Sequence, residues 1–227
     1  MFGAMNRLDH VTREAFIDYY VNEHVKVGGT MAGVLRYVSG AALQDANGGE
    51  PAFDAVSEHW WASTDSVRSA YTSDLWEQAR RDHPSVVSGR LMFLAEEHVL
   101  MAPPPGYNTV KYLAFLTRKD CQTPEDFRTH WLEKHVPLAL ETPGLLGYKA
   151  CPTTFSINGD SILREQPQPA QFDGVVEMFF ESVDSFNQSF ADPHWDRLRT
   201  DYYSNFAMGR IQLLVQPRLV LDNTTPA

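Results

Sequence analysis

Hydrophobic and polar residues alternate along several short segments of the chain. In the segment FDGVVEMFF (172–180), Asp173, Val175, Glu177 and Phe179 share one face, and the residues between them share the other. Such alternation, rich in β-branched and aromatic residues, predicts a strand whose two faces meet different surroundings.

A helix is predicted earlier in the same half of the chain. Thr123 followed by a proline is a typical N-cap signal. Behind it, Phe127, Trp131 and His135 are spaced by four residues and form a narrow stripe on one helix face, which should lie against the sheet. Pro137 cannot donate a helical hydrogen bond, so the helix is predicted to end near it.

The same pattern occurs twice. An offset of 111 residues takes His24 to His135, and a later offset of 119 takes FDAVSEHWW (53–61) onto residues 172–180. The change of offset places eight extra residues within one connection of the second half, between residues 152 and 171. A period of this length indicates a duplicated domain rather than a solenoid, whose units are about 20–50 residues long.

Each half predicts the element order βαββαβ, which is the ferredoxin-like arrangement with both helices on one face of a four-stranded antiparallel sheet. The bare faces of two such sheets can cover each other. The predicted fold class is therefore α+β, with two ferredoxin-like repeats packed sheet to sheet as a pseudo-dimeric α+β barrel. The predicted limits are 1–101 for the first repeat, 102–108 for a proline-rich linker, 109–222 for the second repeat and 223–227 for a C-terminal tail.

The composition of the chain argues against several classes of function. The 227 residues carry a net charge of −10 with 19 scattered Lys and Arg residues, which argues against nucleic acid as a partner. No apolar run approaches the roughly 18 residues of a membrane span, and the N-terminal sequence lacks the pattern of a signal peptide. Cys121 and Cys151 match no disulfide framework or metal motif. We therefore expect a cytoplasmic protein with reduced thiols.

His135 is the strongest candidate for chemistry. The negative end of the helix dipole favours its imidazolium form and burial favours the neutral form, so a pKa near neutrality would suit a general acid or base. The alternative is that it only caps terminal carbonyls, but its recurrence as His24 strengthens the catalytic interpretation. Tyr148 is expected to orient an oxygen of a substrate, or else to pack at a strand end. His130 lies on a different helix face, which disfavours a metal site, and no nucleotide or redox cofactor motif is present.

The predicted strands also contain polar residues that are candidates for a substrate-binding site. Glu177 and its counterpart Glu58 are either paired between the sheets or part of a pocket. Met178 replaces His59 in the second repeat, so chemistry shared by both repeats cannot require His59, and His194 lies near the pocket rim or is exposed. The predicted substrate-binding residues are His130, Trp131, Glu177, Phe179 and His194 in the second repeat and Tyr20, Tyr37, Glu58 and His59 in the first.

The segment TPEDFRTHWLEKHVPLALETPGLLGY (123–148) resembles the EthD family of dimeric α+β barrel proteins. The family signature is a helix of the type E-F-x-x-H-W-x-x-x-H-x-P-L followed by a P-G-L-x-x-Y strand. In the second repeat the agreeing residues are His130, Trp131, His135, Pro137, Leu138, Pro143, Gly144 and Tyr148. The first repeat keeps only His24, Gly33 and Tyr37 clearly. The chain therefore resembles a tandem EthD-domain protein.

The resemblance implies pockets between the sheet and the helices, with His and Tyr side chains in acid/base roles. We expect a cofactor-independent enzyme of the isomerase, cyclase, dehydratase, decarboxylase or other lyase type, acting on a small apolar aromatic or polyketide-like molecule. His135 would be the general acid/base, Tyr148 the orienting group and His24 the counterpart in the less conserved first repeat. A cofactor-independent monooxygenase of a phenol and a non-catalytic binding protein are the alternatives, and both a monomer and a homodimer stay open.

Overall fold

The computed structural model describes residues 1–74, 76–77, 86–156 and 171–224. Most of the predicted insertion, and the last residues of the predicted tail, lie outside the described residues. Among the described residues, no helix is both long enough and apolar enough to cross a membrane.

Both repeats follow the predicted order βαββαβ, but their helices and last strands are divided differently. The first consists of β1 (Phe2–Arg7), α1 (Arg13–Tyr19), a π-helical turn (Tyr20–His24), α2 (Val25–Gly29), β2 (Val34–Asp45), β3 (Ala55–Trp61), α3 (Thr64–Tyr71), β4 (Val87–Ala95) and β5 (His98–Met101). The second consists of β6 (Val110–Arg118), α4 (Pro124–His130), a π-helical turn (Trp131–His135), α5 (Val136–Ala139), β7 (Gly147–Ser156), β8 (Gly174–Phe180), α6 (Val183–Phe190), α7 (His194–Asp201), a π-helical turn (Tyr202–Phe206) and β9 (Ala207–Asp222).

The strands of both repeats join into one closed barrel. Within the described residues the sheet order is β4-β1-β3-β2-β9-β6-β8-β7-β5, and β4 also pairs with β7. The predicted fold class is confirmed, and the two sheets are hydrogen-bonded to each other along the β2–β9 and β4–β7 seams as well as packed face to face. The β4–β7 pairing closes the ring of eight strands, whereas β5 pairs only with β7 among the described residues.

The first helix of each repeat begins as predicted. Thr123 accepts a hydrogen bond from the backbone N–H of Asp126, and Thr12 caps the first repeat in the same way. The helix was predicted to end near Pro137, and it ends two residues later, at Ala139, because a π-helical turn ending at His135 leads into α5. Pro137 lies in the first turn of this new segment, where its missing N–H costs little.

Every strand therefore has a helix-facing side and a barrel-facing side. In the second repeat, Trp131, Tyr148 and Phe180 pack in the core between helices and sheet. Phe115 and Val175 pack inside the barrel, together with residues of the first repeat. The odd and even positions of one strand thus belong to different cores.

The barrel interior also contains a buried ionic cluster that joins the two repeats. The Nζ atom of Lys111 on β6 lies 2.5 Å from Oε1 of Glu58 on β3 and 2.6 Å from Oε2 of Glu177 on β8. Burial, together with the neighbouring Glu177 carboxylate, raises the pKa of Glu58 to about 7. Although burial also favours the neutral acid at Glu177, Lys111 and Lys149 hold the pKa of that carboxyl below its usual value. The cluster therefore carries a proton on Glu58 over part of the neutral range.

The raised pKa of Glu58 predicts that the free energy of unfolding depends on pH. The folded-state pKa of Glu58 is about 7, above the ordinary value of about 4.3, so the folded state holds the proton more tightly. The stability that Glu58 contributes is present below pH 4.3 or so and is lost as the pH rises through about 7. The difference in the free energy of unfolding, Glu58→Gln minus the unaltered protein, should therefore be more positive at pH 8 than at pH 5.

Urea unfolding of both proteins at the two pH values measures this difference, because the contributions of groups that do not interact with Glu58 cancel. The matched control is Glu133→Gln at an exposed position on the first helix of the second repeat. If both variants differ from the unaltered protein by the same amount at both pH values, the assignment of a raised pKa to Glu58 is wrong.

Candidate functional site

A carboxylate on α7 positions the two histidines of the second repeat. Nδ1 of His135 lies 2.9 Å from Oδ2 of Asp201, and Nε2 of His130 lies 3.1 Å from Oδ1 of the same residue. Although burial favours the neutral acid, hydrogen bonds from Asn205, His135 and His130 hold the pKa of Asp201 below its usual value. An ionised carboxylate only accepts hydrogen bonds, so Nδ1 of His135 carries the proton and Nε2 is the basic atom.

The ring of His135 is largely enclosed. It is 8% exposed and its centroid lies 4.8 Å from that of Phe206. Burial lowers the pKa of His135, and the hydrogen bond that its ring donates to Asp201 opposes this effect. Because burial is the larger effect, the pKa of His135 is lowered, and the ring is mainly in its neutral, basic form at neutral pH.

The other predicted groups around His135 bind one another or the backbone. Nε1 of Trp131 donates to the hydroxyl of Tyr148 at 3.3 Å, and both side chains are fully buried. Gly174 on β8 makes room for this packing, since a Cβ there would lie 2.4 Å from Cζ3 of Trp131. Nε2 of His194 lies 3.0 Å from the carbonyl oxygen of Leu138 on α5. Trp131 therefore fills the space between helices and sheet in the second repeat.

The first repeat has a cavity between its helices and its sheet. The cavity has a volume of about 30 Å³ and is bordered by His24, Tyr37 and His59, and by methionines that include Met31 and Met92. The ring of Tyr37 stacks on that of His59, with centroids 4.1 Å apart and planes inclined by 17°. The predicted counterparts Tyr37 and His24 thus border open space here.

The hydroxyl of Tyr20 shows how the first repeat differs. It donates to the carbonyl oxygen of Val56 on β3 at 2.8 Å, and the ring of His24 stacks on the Tyr20 ring with centroids 5.4 Å apart. Tyr20 stands where the second repeat has Trp131, and His59 stands where it has Met178. The repeat that has the cavity therefore has a smaller ring, Tyr20, in place of Trp131 and a polar side chain, His59, in place of Met178.

His59 is the most unusual group of this region. It is 6% exposed, and neither ring nitrogen makes a hydrogen bond to any described residue. It also lines a larger cavity of about 260 Å³ together with Glu58, Trp60, Trp61 and Glu97. Burial, with smaller contributions from the N-terminal amino group and His24, lowers the pKa of His59 to about 3. His59 is therefore a neutral imidazole with a free lone pair between two cavities.

The predicted site residues fall on both faces of the sheets. Glu177, Phe179 and Glu58 lie on the barrel side, where Lys111 is 5.1 Å from the Phe179 ring centroid and binds both carboxylates. His135, Tyr148, Trp131, His130 and His194 lie on the helix side of the second repeat, and His24, Tyr20, Tyr37 and His59 on that of the first. The structure therefore separates Glu177 from Tyr148 and His135.

Two of the residues that organise these regions, Asp201 and Lys111, carry no signal in the sequence that marks them as site residues. Asp201 lies 66 residues from His135 along the chain, and its side chain reaches the histidine only because α7 packs beside the first helix. Lys111 lies in a strand that reads as apolar. No group of three or more His, Cys, Asp or Glu residues in the described part of the chain is arranged to hold a metal ion.

Solved structures share the fold at low sequence identity. An anthrone oxidase-like protein matches with a TM-score of 0.70 and 9% identity, covering 100% of this chain and 94% of its own. A proposed monooxygenase of Lactobacillus acidophilus NCFM matches with a TM-score of 0.54 and 12% identity, covering 96% and 93%. A variant of chlorite dismutase from Candidatus Nitrospira defluvii matches with a TM-score of 0.50 and 12% identity, covering 94% and 89%. At these identities the likeness concerns the fold alone.

Sequence comparison gives a narrower result. No curated protein matches the sequence. The EthD domain, in contrast, matches two segments of the chain, residues 8–89 and 119–209, which are separated by the linker region. The chain therefore belongs to the EthD family, with one EthD domain in each of its two repeats.

Proposed function

We propose that the protein is an enzyme that carries out proton-transfer chemistry, without a cofactor, on a small and largely apolar aromatic or polyketide-like molecule bound beside His59. The observation that carries this proposal is the buried His59 imidazole, which has no hydrogen-bond partner among the described residues and borders two cavities. An unpaired buried polar group costs about 1–3 kcal/mol, and a hydroxyl or enol of a bound molecule would recover that cost.

The lining of the two cavities favours an aromatic or conjugated substrate. Met31 and Met92 offer polarisable surfaces that adapt to a ring, and Trp60 and Trp61 offer flat ones. The hydroxyl of Tyr37 lies on the same side of the sheet as His59 and is able to donate to a substrate oxygen. A few polar groups in an apolar lining are typical of small-molecule sites.

The two ionisable groups of β3 suit a pair of proton-transfer steps. His59 is neutral before the reaction, so its lone pair is able to accept a proton from the substrate. The substrate anion then lies beside the His59 imidazolium, and their attraction, which is strong where water is excluded, offsets the low basicity of the His59 ring. Glu58 lines the same larger cavity and has a pKa of about 7, so it is suited to return a proton. Groups whose pKa values are pushed apart are typical of acid/base sites.

The second repeat is the less favoured location for this substrate. Asp201 orients His135 as a base, but Trp131 and Tyr148 fill the adjoining space and satisfy each other. We therefore assign the substrate to the first repeat, and we assign the His135–Asp201 pair to holding α7 against the first helix. The repeat with the better-conserved motif would then be the structural one.

Replacing His59 should abolish most turnover. His59→Phe keeps the ring volume but removes the lone pair, and general-base catalysis contributes about 10²–10⁴-fold. We expect kcat/KM to fall by at least about 10²-fold in His59→Phe and by only a few-fold in His135→Phe. A panel of hydroxylated aromatic and polyketide-like compounds, followed by absorbance and by an oxygen electrode, identifies the substrate first.

A larger loss of kcat/KM in His135→Phe than in His59→Phe would contradict the assignment of the substrate to the first repeat. Stoichiometric oxygen uptake by the active compound would replace proton-transfer chemistry with the monooxygenase alternative. Tight binding that persists in both variants, without turnover of any compound in the panel, would favour a non-catalytic binding protein.

Gly28 provides a test of the packing that shapes the smaller cavity. A Cβ at Gly28 would lie 2.7 Å from Cε1 of Tyr37 and 3.4 Å from Nε2 of His59, so Gly28→Ala pushes the tyrosine ring against its neighbours. We expect a loss of about 1–3 kcal/mol in the free energy of unfolding, as for overpacked cores. Chemical denaturation measures this loss.

The matched control is Gly29→Ala in the same helix. A Cβ there would meet only Cγ1 of Val220, at 3.3 Å, and alanine favours the helix by about 0.5–1 kcal/mol. Equal stability of the Gly28→Ala and Gly29→Ala variants would show that Gly28 does not constrain Tyr37.

A further inference from the structure

A separate cavity lies on the barrel side of the strands, and both repeats and the linker contribute to it. Its volume is about 260 Å³, and its walls include Arg36 of β2, Trp60 of β3, Lys149 of β7 and Phe179 of β8. The linker segment from Pro103 to Tyr107 forms a further wall. Each repeat alone would provide only part of this cavity.

The charge of this cavity is one-sided. The described residues that line it include three cations, Arg36, Lys111 and Lys149, and no carboxylate. Glu58 and Glu177 bind Lys111 but do not line this cavity. Glu97 likewise binds Lys149, at 2.8 Å, without lining this cavity. The carboxylates therefore stabilise both lysines, while cationic side chains border the open space.

The cations lie over aromatic rings. Cζ of Arg36 is 5.0 Å and Nζ of Lys149 is 5.3 Å from the ring centroid of Trp60, and Nζ of Lys111 is 5.1 Å from that of Phe179. Such contacts hold positive charge next to flat apolar surface. A molecule with an aromatic ring and a negative group would match both features.

Arg36 has hydrogen-bonding capacity left for such a group. One of its terminal nitrogens donates to the hydroxyl of Tyr107 at 2.5 Å, whereas its buried Nε makes no hydrogen bond to a described residue. The nearest carboxylate, that of Asp222, lies 3.9 Å from Nε. A guanidinium group binds carboxylates through two parallel N–H donors, one of which is Nε–H in the side-on geometry.

We propose that this cavity is a second ligand site, which binds a small aromatic carboxylate with its carboxylate on Arg36 and the lysines and its ring between Trp60 and Phe179. Trp60 borders both this cavity and the larger one at His59, but the two cavities share no other lining residue and the ligand proposed here is an anion. Its occupation would connect the linker to both halves of the barrel.

Binding of benzoate tests the proposal. Isothermal titration calorimetry and Trp fluorescence should detect saturable binding of benzoate, and binding at least about tenfold weaker for neutral benzyl alcohol and for acetate, which lacks the ring. Arg36→Gln should weaken benzoate binding about tenfold or more, while Arg36→Lys should give an intermediate loss. The matched control is Arg218→Gln, an exposed arginine on β9 next to Pro217, which should leave binding unchanged.

Three results would overturn the proposal. The first is the absence of saturable benzoate binding to the unaltered protein at millimolar concentration. The second is an equal loss in Arg36→Gln and Arg218→Gln, with circular dichroism showing that both are folded, because it would indicate a general charge effect. The third is a loss of benzoate binding in His59→Phe but not in Arg36→Gln, which would place the ligand on the helix side. Benzoate binding that is lost only in Arg36→Gln would stand even if His59 proved to have no role in catalysis.

Discussion

The closure of the barrel determines what every strand residue is able to do. Because the two four-stranded sheets are hydrogen-bonded along both seams, one side of each strand faces the barrel interior and the other faces the helices. Glu58 and His59 are neighbours in sequence, yet Glu58 binds a lysine inside the barrel while His59 stacks on Tyr37 under the helices. Contacts inside the barrel join the two repeats, whereas the cores outside it lie mainly between the helices and the sheet of one repeat.

The ionic cluster is the part of the barrel in which this constraint is strongest. A single buried charge would be very costly, so Lys111 of one repeat requires carboxylates, and it takes Glu58 from the other repeat and Glu177 from its own. The pairing favours one register between the two sheets. It also leaves Glu58 with a pKa of about 7, which gives the barrel a group that titrates near physiological pH.

Divergence between the two repeats has changed the helix side more than the barrel side. The carboxylates Glu58 and Glu177 occupy equivalent positions and share one lysine. On the helix side, in contrast, Trp131 is fully buried and packed against Gly174, whereas the first repeat has a cavity beside His59. Duplication allows this difference, because a side chain can fill the space under the helices of one repeat while the other repeat keeps a cavity there.

Much of the fold could be predicted from the sequence because the relevant signals are local. The alternation correctly placed Val175, Glu177 and Phe179 on one side of β8, and Thr123 was correctly predicted as a helix N-cap. It fails just before the strand, because Phe172 packs inside the barrel together with Val175. The end of the helix was predicted two residues early, near Pro137, since a π-helical turn before it cannot be seen in a hydrophobic pattern.

The sites were harder to predict because they depend on contacts between distant segments. Asp201 reaches His135 only through the packing of α7, and the unpaired state of His59 depends on everything around it. The motif agreement favoured the second repeat, whereas the cavity lies in the first. A motif that is retained for packing gives the same sequence signal as one that is retained for chemistry.

The most direct test of the account is a titration with phenol, followed by the imidazole ¹⁵N chemical shifts of the protein at pH 7. The account predicts that the shifts of His59 begin at values typical of a neutral ring and move saturably as phenol is added, while those of His135 stay unchanged. Phenol-dependent shifts at His135 with none at His59, or a protonated His59 in the free protein, would contradict the assignment of the substrate site to the first repeat.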